Sequence, residues 1–334
     1  MASNMEVNRM FATSSDKNPW WADLKAGENY CYPGATNREL FSASKADFDV
    51  SLDPVFDRNG DEVPGYFILN NTSLGAPLRM AKGRFVPMQN ETLFRHLDQL
   101  GKITDICAIG SGEKVCFSLE GGQFQVGEGS TIKQWINAVL PHDGSMKLTL
   151  GLGTLRIECQ NTFNVWKRSL QSDEVFATKQ TREADNKVSA WVKAFQEMQG
   201  EASSLQEKFQ KLARMKFNAT KQAEIIAGMF PTKDGKDPST RSKNIQERLA
   251  QIIGDNASNL PLSAQNTGWS LFNGITFYST HETSIKSNTS RLESTLFGTA
   301  QKFSEMALES ILCATPDDYQ DVNETNLVRS LSIN

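Results

Sequence analysis

The densest mixture of chemically capable residues in this chain lies at 156–168, RIECQNTFNVWKR, where Arg156, Lys167 and Arg168 surround Asn161, Phe163 and Trp166. Interleaved cationic and aromatic groups can hold the phosphates of a single strand and stack its bases, whose faces are free. Core packing of the two aromatics and capping by Asn161 or Thr162 are the competing explanation. Downstream, Lys208, Lys211, Arg214, Lys216 and Lys221 recur beside an apolar helical seam and make a cationic strip. Such a strip suits a polyanion, and equally a solvated helix face. With Lys233, Lys236, Arg241 and Lys243 it is the best electropositive candidate in the chain. The expected nucleic-acid contacts are therefore Arg156, Asn161, Lys167, Arg168, Lys208, Lys211, Arg214 and Lys216.

His142-Asp143-Gly144 places an imidazole, a carboxylate and a flexible glycine in one loop. Two readings stay open. One is a phosphate or metal contact, or a general base; the other is a turn whose geometry comes from Asp143 and Gly144 while His142 packs. Only His96, His142 and His281 exist, so a multi-histidine metal centre has little material. Cys31, Cys107, Cys116, Cys159 and Cys313 are odd in number and lack CxxC spacing, which argues for reduced thiols rather than zinc or a disulfide framework. Gly110-Ser111-Gly112-Glu113-Lys114 lacks the GxxxxGK[ST] spacing of a phosphate loop and reads as a hairpin turn. No catalytic set, metal or cofactor is expected.

The elements that must position these residues follow from length, charge and periodicity. The 334 residues are 39% apolar and 22% charged, with a net charge of -4, an ordinary globular balance that rules out a disordered chain. No long apolar run predicts a membrane span, and no apolar leader follows a basic start, so a cytoplasmic protein is expected. Charge is segregated: residues 207–248 hold 10 Lys and Arg against 5 Asp and Glu, whereas residues 1–62 hold 6 against 11.

Residues 1–62 are polar and punctuated by Gly, Pro and Asp, and read as a loosely structured N-terminal arm. From 63 to 200 an α+β core is expected. It has hairpins across 110–113 and 151–154 and short helices at 91–100 and 130–140, the second with Ile132, Trp135, Ile136 and Val139 on one face. Residues Val188, Trp191, Phe195, Met198, Ala202, Leu205, Phe209 and Leu212 alternate in steps of three and four, the pattern of a helical seam. They predict one long helix, or two parted at Gly200. Further helices are expected at 220–230, 239–253, 264–279 and 291–312 within a helical region 201–313, and a mobile acidic tail at 314–334. The fold class is α+β, with antiparallel hairpins packed on helices in a β-β-β-α-like core and a helical C-terminal part.

The string HDGS at 142–145 followed by LRIECQNTF at 155–163 resembles a phage- and plasmid-encoded family known as domain of unknown function 932. Trp20-Trp21, FVPMQNETLFRHLDQL at 85–100 and GWSLFNGITFYSTH at 268–281 resemble its other segments. This chain departs from the family in having Gly274 where alanine is usual and Phe277 near an acidic position. The resemblance implies a setting, mobile-element DNA in a bacterial cytoplasm, and no activity. In outline, hairpins followed by a long helix also look like phage single-strand annealing recombinases of the Erf, RecT and Red-beta type. The expectation is a homo-oligomer that binds single-stranded DNA and anneals it as a ring or filament. The alternatives are a mobile-element protein acting on a host defence factor, and a metal or phosphate-ester enzyme using His142, Asp143 and His281.

Overall fold

The structure is a computed structural model that describes residues 10–14, 31–83, 85–127, 130–156, 161–163, 175–197, 204–230, 238–257, 260, 262–283, 294 and 298–322. In chain order, β1 (Phe11–Thr13) and α1 (Asn37–Ala43) precede a three-stranded antiparallel sheet of β2 (Val50–Phe56), β3 (Glu62–Asn71) and β4 (Ala76–Lys82). Helix α2 (Asn90–Asp98) leads into β5 (Ile103–Ile109), β6 (Lys114–Gln125), β7 (Thr131–Pro141), β8 (Leu148–Arg156), β9 (Asn161–Phe163) and β10 (Val175–Thr178). These pair antiparallel in the order β1-β5-β6-β7-β8-β10, with β9 beside the far end of β8. Helices α3 (Ala184–Glu197), α4 (Ser204–Arg214), α5 (Ala219–Gly228), α6 (Thr240–Ala257), α7 (Gly268–Phe277) and α8 (Thr299–Leu312) follow, and β11 (Met215–Lys216) pairs with β12 (Gln320–Asp321). The fold is α+β, as the periodicity predicts. No helix among the described residues is long and apolar enough to cross a membrane.

Strand alternation sets the first core. Ile106, Ala108, Val115, Phe117, Ile136, Ala138, Leu148 and Leu150 occupy every second position of their strands and meet Leu40, Phe41, Leu93, Phe94, Leu97, Val188 and Trp191 from α1, α2 and α3. The Phe41 and Phe94 rings stack at 4.5 Å. A second core gathers Phe209, Leu212, Ile225, Leu249, Trp269, Phe272 and Leu308 from α4 to α8. It includes Phe124, Val126 and Ile132, at the end of β6 and the start of β7. The two long strands thus run out of one core and into the other.

Four expectations are corrected. Residues 131–141 form strand β7, not a helix. The three-four spacing of its apolar residues is real, but β7 has β6 on one edge and β8 on the other, and from Ile136 to Pro141 it is buried throughout. A central strand covered on both faces loses the alternation that marks a strand in sequence. The second expected hairpin, at 151–154, is continuous strand: Gly151 and Gly153 lie directly across from Asn137 and Trp135, and glycine within a strand marks close approach as well as turns. The N-terminal region is not loosely built where it is described. Thr36 and Glu39 form a capping box for α1, and Leu40 and Phe41 are fully buried. The acidic tail is docked as far as residue 322: Thr315 and Asp318 cap a short turn, β12 pairs with β11, and Tyr319 packs on Phe217. The seam divides, with Val188, Trp191 and Phe195 in the first core and Phe209 and Leu212 in the second. Helix α7 starts later than expected, at Gly268 after the Thr267 cap, and of the helix expected at 291–312 the part from Thr299 to Leu312 is α8, while 291–293 and 295–297 lie outside the described residues.

Candidate nucleic-acid interface and the His142 turn

The turn after β7 is held from both sides. His142 is wholly buried, and its backbone N–H and that of Asp143 both donate to Glu113 O, at 2.7 and 3.1 Å. Asn90, at the start of α2, donates through Nδ2 to Phe48 O at 3.1 Å, so its Oδ1 is the acceptor facing His142 Nε2 at 2.8 Å. The imidazole therefore carries its proton on Nε2 and presents a bare lone pair at Nδ1, for which the described residues offer no donor. Burial drives its pKa down to about 4, against a smaller opposing pull from Asp143. Asp143 is partly buried, which disfavours its charge, but Lys114 Nζ at 2.9 Å and the N–H and hydroxyl of Ser145 prevail and hold its pKa below the ordinary range. A substrate cannot reach the imidazole in this arrangement. The geometry has the form of the second reading, a turn with a packed histidine.

The sequence does not mark Asn90, Lys114 or Gln180 as partners of this turn. Lys114 closes the Gly110–Lys114 string, which forms the hairpin turn between β5 and β6 that its spacing predicts. Gln180 Nε2 donates to Pro141 O, while its Oε1 accepts from Met88 N at 3.0 Å. His281 lies elsewhere, exposed on a π turn at Tyr278–Glu282, its ring 4.7 Å from that of Phe277. His96 Nε2 meets Asp185 at 2.6 Å. Among the described residues no group of three or more His, Cys, Asp or Glu could hold a metal ion.

The cationic strip sits on α4 and the segment after it. The buried side of α4 is set by Phe209 and Leu212, which leaves Lys211 and Arg214 exposed and Lys208 half-buried, with Lys216 half-buried on β11. Lys211, Arg214 and Lys216 have no carboxylate partner among the described residues, in contrast to Lys221. Lys221 Nζ bonds Asp318 at 2.8 Å and Glu224 at 3.0 Å. Asp318 is held down to about 2 by Lys221 first and by the Thr315 N–H and hydroxyl next. Arg241 and Lys243 are exposed in the first turn of α6, while Arg248 is engaged with Glu282. Arg156 ends β8, across from Ile132 on one side and Asn161 on the other. Because Ile132 and Phe124 share a core with Phe209, whose ring is 6.4 Å from that of Phe124, α4 and the β8–β9 pair occupy the same end of the sheet. Lys167, Arg168, Trp166, Lys233 and Lys236 lie outside the described residues.

Neither a curated protein nor a solved structure matches this chain, so the likeness in outline to annealing recombinases gains no support from known structures. The pattern of the family described as Domain of unknown function (DUF932) matches residues 77–297. That span runs from β4 through α7 and takes in the His142 turn, the β8–β9 pair, the α4 strip and the Trp269 helix, and the chain belongs to this family.

Proposed function

We propose that this protein binds single-stranded DNA along the end of the sheet covered by α4, and that copies assembled as a ring or filament promote annealing. One observation carries the reading: Lys211, Arg214 and Lys216 are presented, without acid partners among the described residues, at the same end of the sheet as the strand pair that bears Arg156 and Asn161. Cations left unpaired are available to displace counterions from a phosphate backbone, which is where polynucleotide affinity and its salt dependence come from. Leu52, Phe56 and Met80, exposed on the three-stranded sheet, offer apolar contact area for neighbouring copies.

Fluorescence anisotropy with a labelled oligothymidylate tests the reading. Affinity falls by orders of magnitude between roughly 50 and 200 mM salt if several phosphates are contacted. The Lys211→Glu/Arg214→Glu pair weakens binding and flattens the salt slope by about two contacts, whereas Lys187→Glu on the exposed side of α3 does neither. Absent or salt-independent binding by the wild-type chain removes the proposal. Mass measurement with and without the oligonucleotide reads the assembly directly.

A further inference from the structure

Arg79 on β4 is fixed in place, yet the described residues offer it no counter-charge. Its Nε donates to Met80 O at 3.2 Å, and its guanidinium carbon stands 4.6 Å from the centre of the Phe85 ring. The group also lies against Gly144, where an added Cβ would fall 1.7 Å from Nη1 and 2.6 Å from Cζ. Gly144 has φ +70, so the turn and the guanidinium both require glycine there. Among the described residues no carboxylate pairs with Arg79. Asp143, next to Gly144, is committed: Oδ2 to Lys114 Nζ and Oδ1 to Ser145. The side chain is only half-buried, so solvent reaches it.

A planar guanidinium immobilised by an aromatic face and a glycine, with its Nη hydrogens unclaimed among the described residues, is preorganised for bidentate contact with a tetrahedral oxyanion. Lys147, three residues after Gly144, is exposed at the end of the same turn. We propose that Arg79, seated on Gly144 and Phe85, is a phosphate-binding site, with Lys147 contributing charge. The site lies at the opposite end of β7 from α4. That strand's eleven residues span about 35 Å at ~3.3 Å each. The Arg79 seat is therefore separate from the α4 strip and does not depend on nucleic-acid binding there.

Calorimetric titration of the full chain with inorganic phosphate tests it, alongside an oligonucleotide lacking terminal phosphates. The wild type binds phosphate saturably. Arg79→Gln weakens binding roughly ten- to hundredfold, as expected for losing charge-assisted hydrogen bonds. Arg79→Lys, which keeps the charge but not the fork, falls between the two, and Lys187→Gln matches the wild type. Gly144→Ala loses affinity although the arginine remains, because the guanidinium is displaced from its seat. If the oligonucleotide competes with phosphate for the seat, its ligand is a phosphodiester; if it does not, the ligand is a free phosphate. Absence of saturable binding by the wild type overturns the site. So does equal affinity in the wild type and Arg79→Lys, a variant whose fold is checked by its urea transition.

Discussion

Acidification singles out His142. The folded imidazole has a pKa of about 4, whereas in the unfolded chain it titrates near 6.5. Between these values the unfolded state takes up a proton that the folded state refuses, so stability falls as pH falls, by about 1.4 kcal/mol per pH unit. Above 6.5 the residue contributes no pH dependence, and below 4 both states are charged and the loss levels off. The full loss is about 3 kcal/mol, a large fraction of the roughly 5–15 kcal/mol that keeps a domain folded. The structural cause is the side chain's complete burial, with Nε2 already donating to Asn90 and no acceptor for a second proton at Nδ1.

Other groups add to the loss at the acid end of this window, since Asp143, Glu91 and Glu282 are held below their ordinary range in the fold and take up protons more readily once unfolded. The measurement is therefore a difference. Urea unfolding of the wild type and of His142→Gln, at half-unit steps from pH 7.5 to 4, gives two stability curves whose separation isolates the imidazole. The glutamine variant starts about 1–3 kcal/mol less stable at pH 7.5, the cost of disturbing a buried hydrogen bond, and the gap narrows or reverses as pH falls through 6.5 towards 4. A separation that stays constant across the range would refute the assignment of a buried, neutral imidazole.

Two further predictions concern packing. Gly274→Ala in α7 would bring its Cβ within 2.4 Å of Ile253 Cγ1 on α6; a loss of about 1–3 kcal/mol in urea is expected, and in an Ile253→Ala background the same change becomes neutral or stabilising by up to ~1 kcal/mol, because alanine is the better helix former. Thiol labelling of the native protein modifies exposed Cys313 quickly, while buried Cys107 and Cys116 react only on unfolding. The Cys107 thiol is pushed well up by its hydrogen bond to Cys116 and by burial, so fast native-state labelling at Cys107 would contradict the strand pairing that sets it opposite Cys116.

Legibility in the sequence followed the physics of each element. The hairpin at 110–113 was readable because its glycines are needed at positive φ, 64 for Gly110 and 106 for Gly112. The glycines at 151 and 153 carry the same letter within a continuous strand, across the ladder from Asn137 and Trp135, and one sequence cannot separate the two uses. Strand β7 was misread because burial on both faces removes period-two alternation, leaving a run that fits a helix as well. Polar composition hid α1, since only Leu40 and Phe41 face the core while a Thr36–Glu39 box supplies the start. The cationic strip was visible as composition, but which cations stay unpaired was not: Lys221 meets an aspartate 97 positions away in sequence, a long-range contact outside any local window.

The strings that carried the family resemblance converge on the ends of β7. At its start, Trp269 Nε1 donates to Ser130 Oγ at 3.1 Å across 139 residues of sequence, tying the Trp269 helix in the second core to the strand. At its end, Asn90 receives His142 Nε2, Lys114 pairs with Asp143, Ser145 caps Asp143, and Gly144 makes room for Arg79. A strand clamped by buried hydrogen bonds at both ends, and shared by both cores between them, transmits displacement rather than absorbing it. A substitution at His142 or Trp269 is then expected to disturb both places at once, whereas one at Arg79 or Lys211 disturbs only its own.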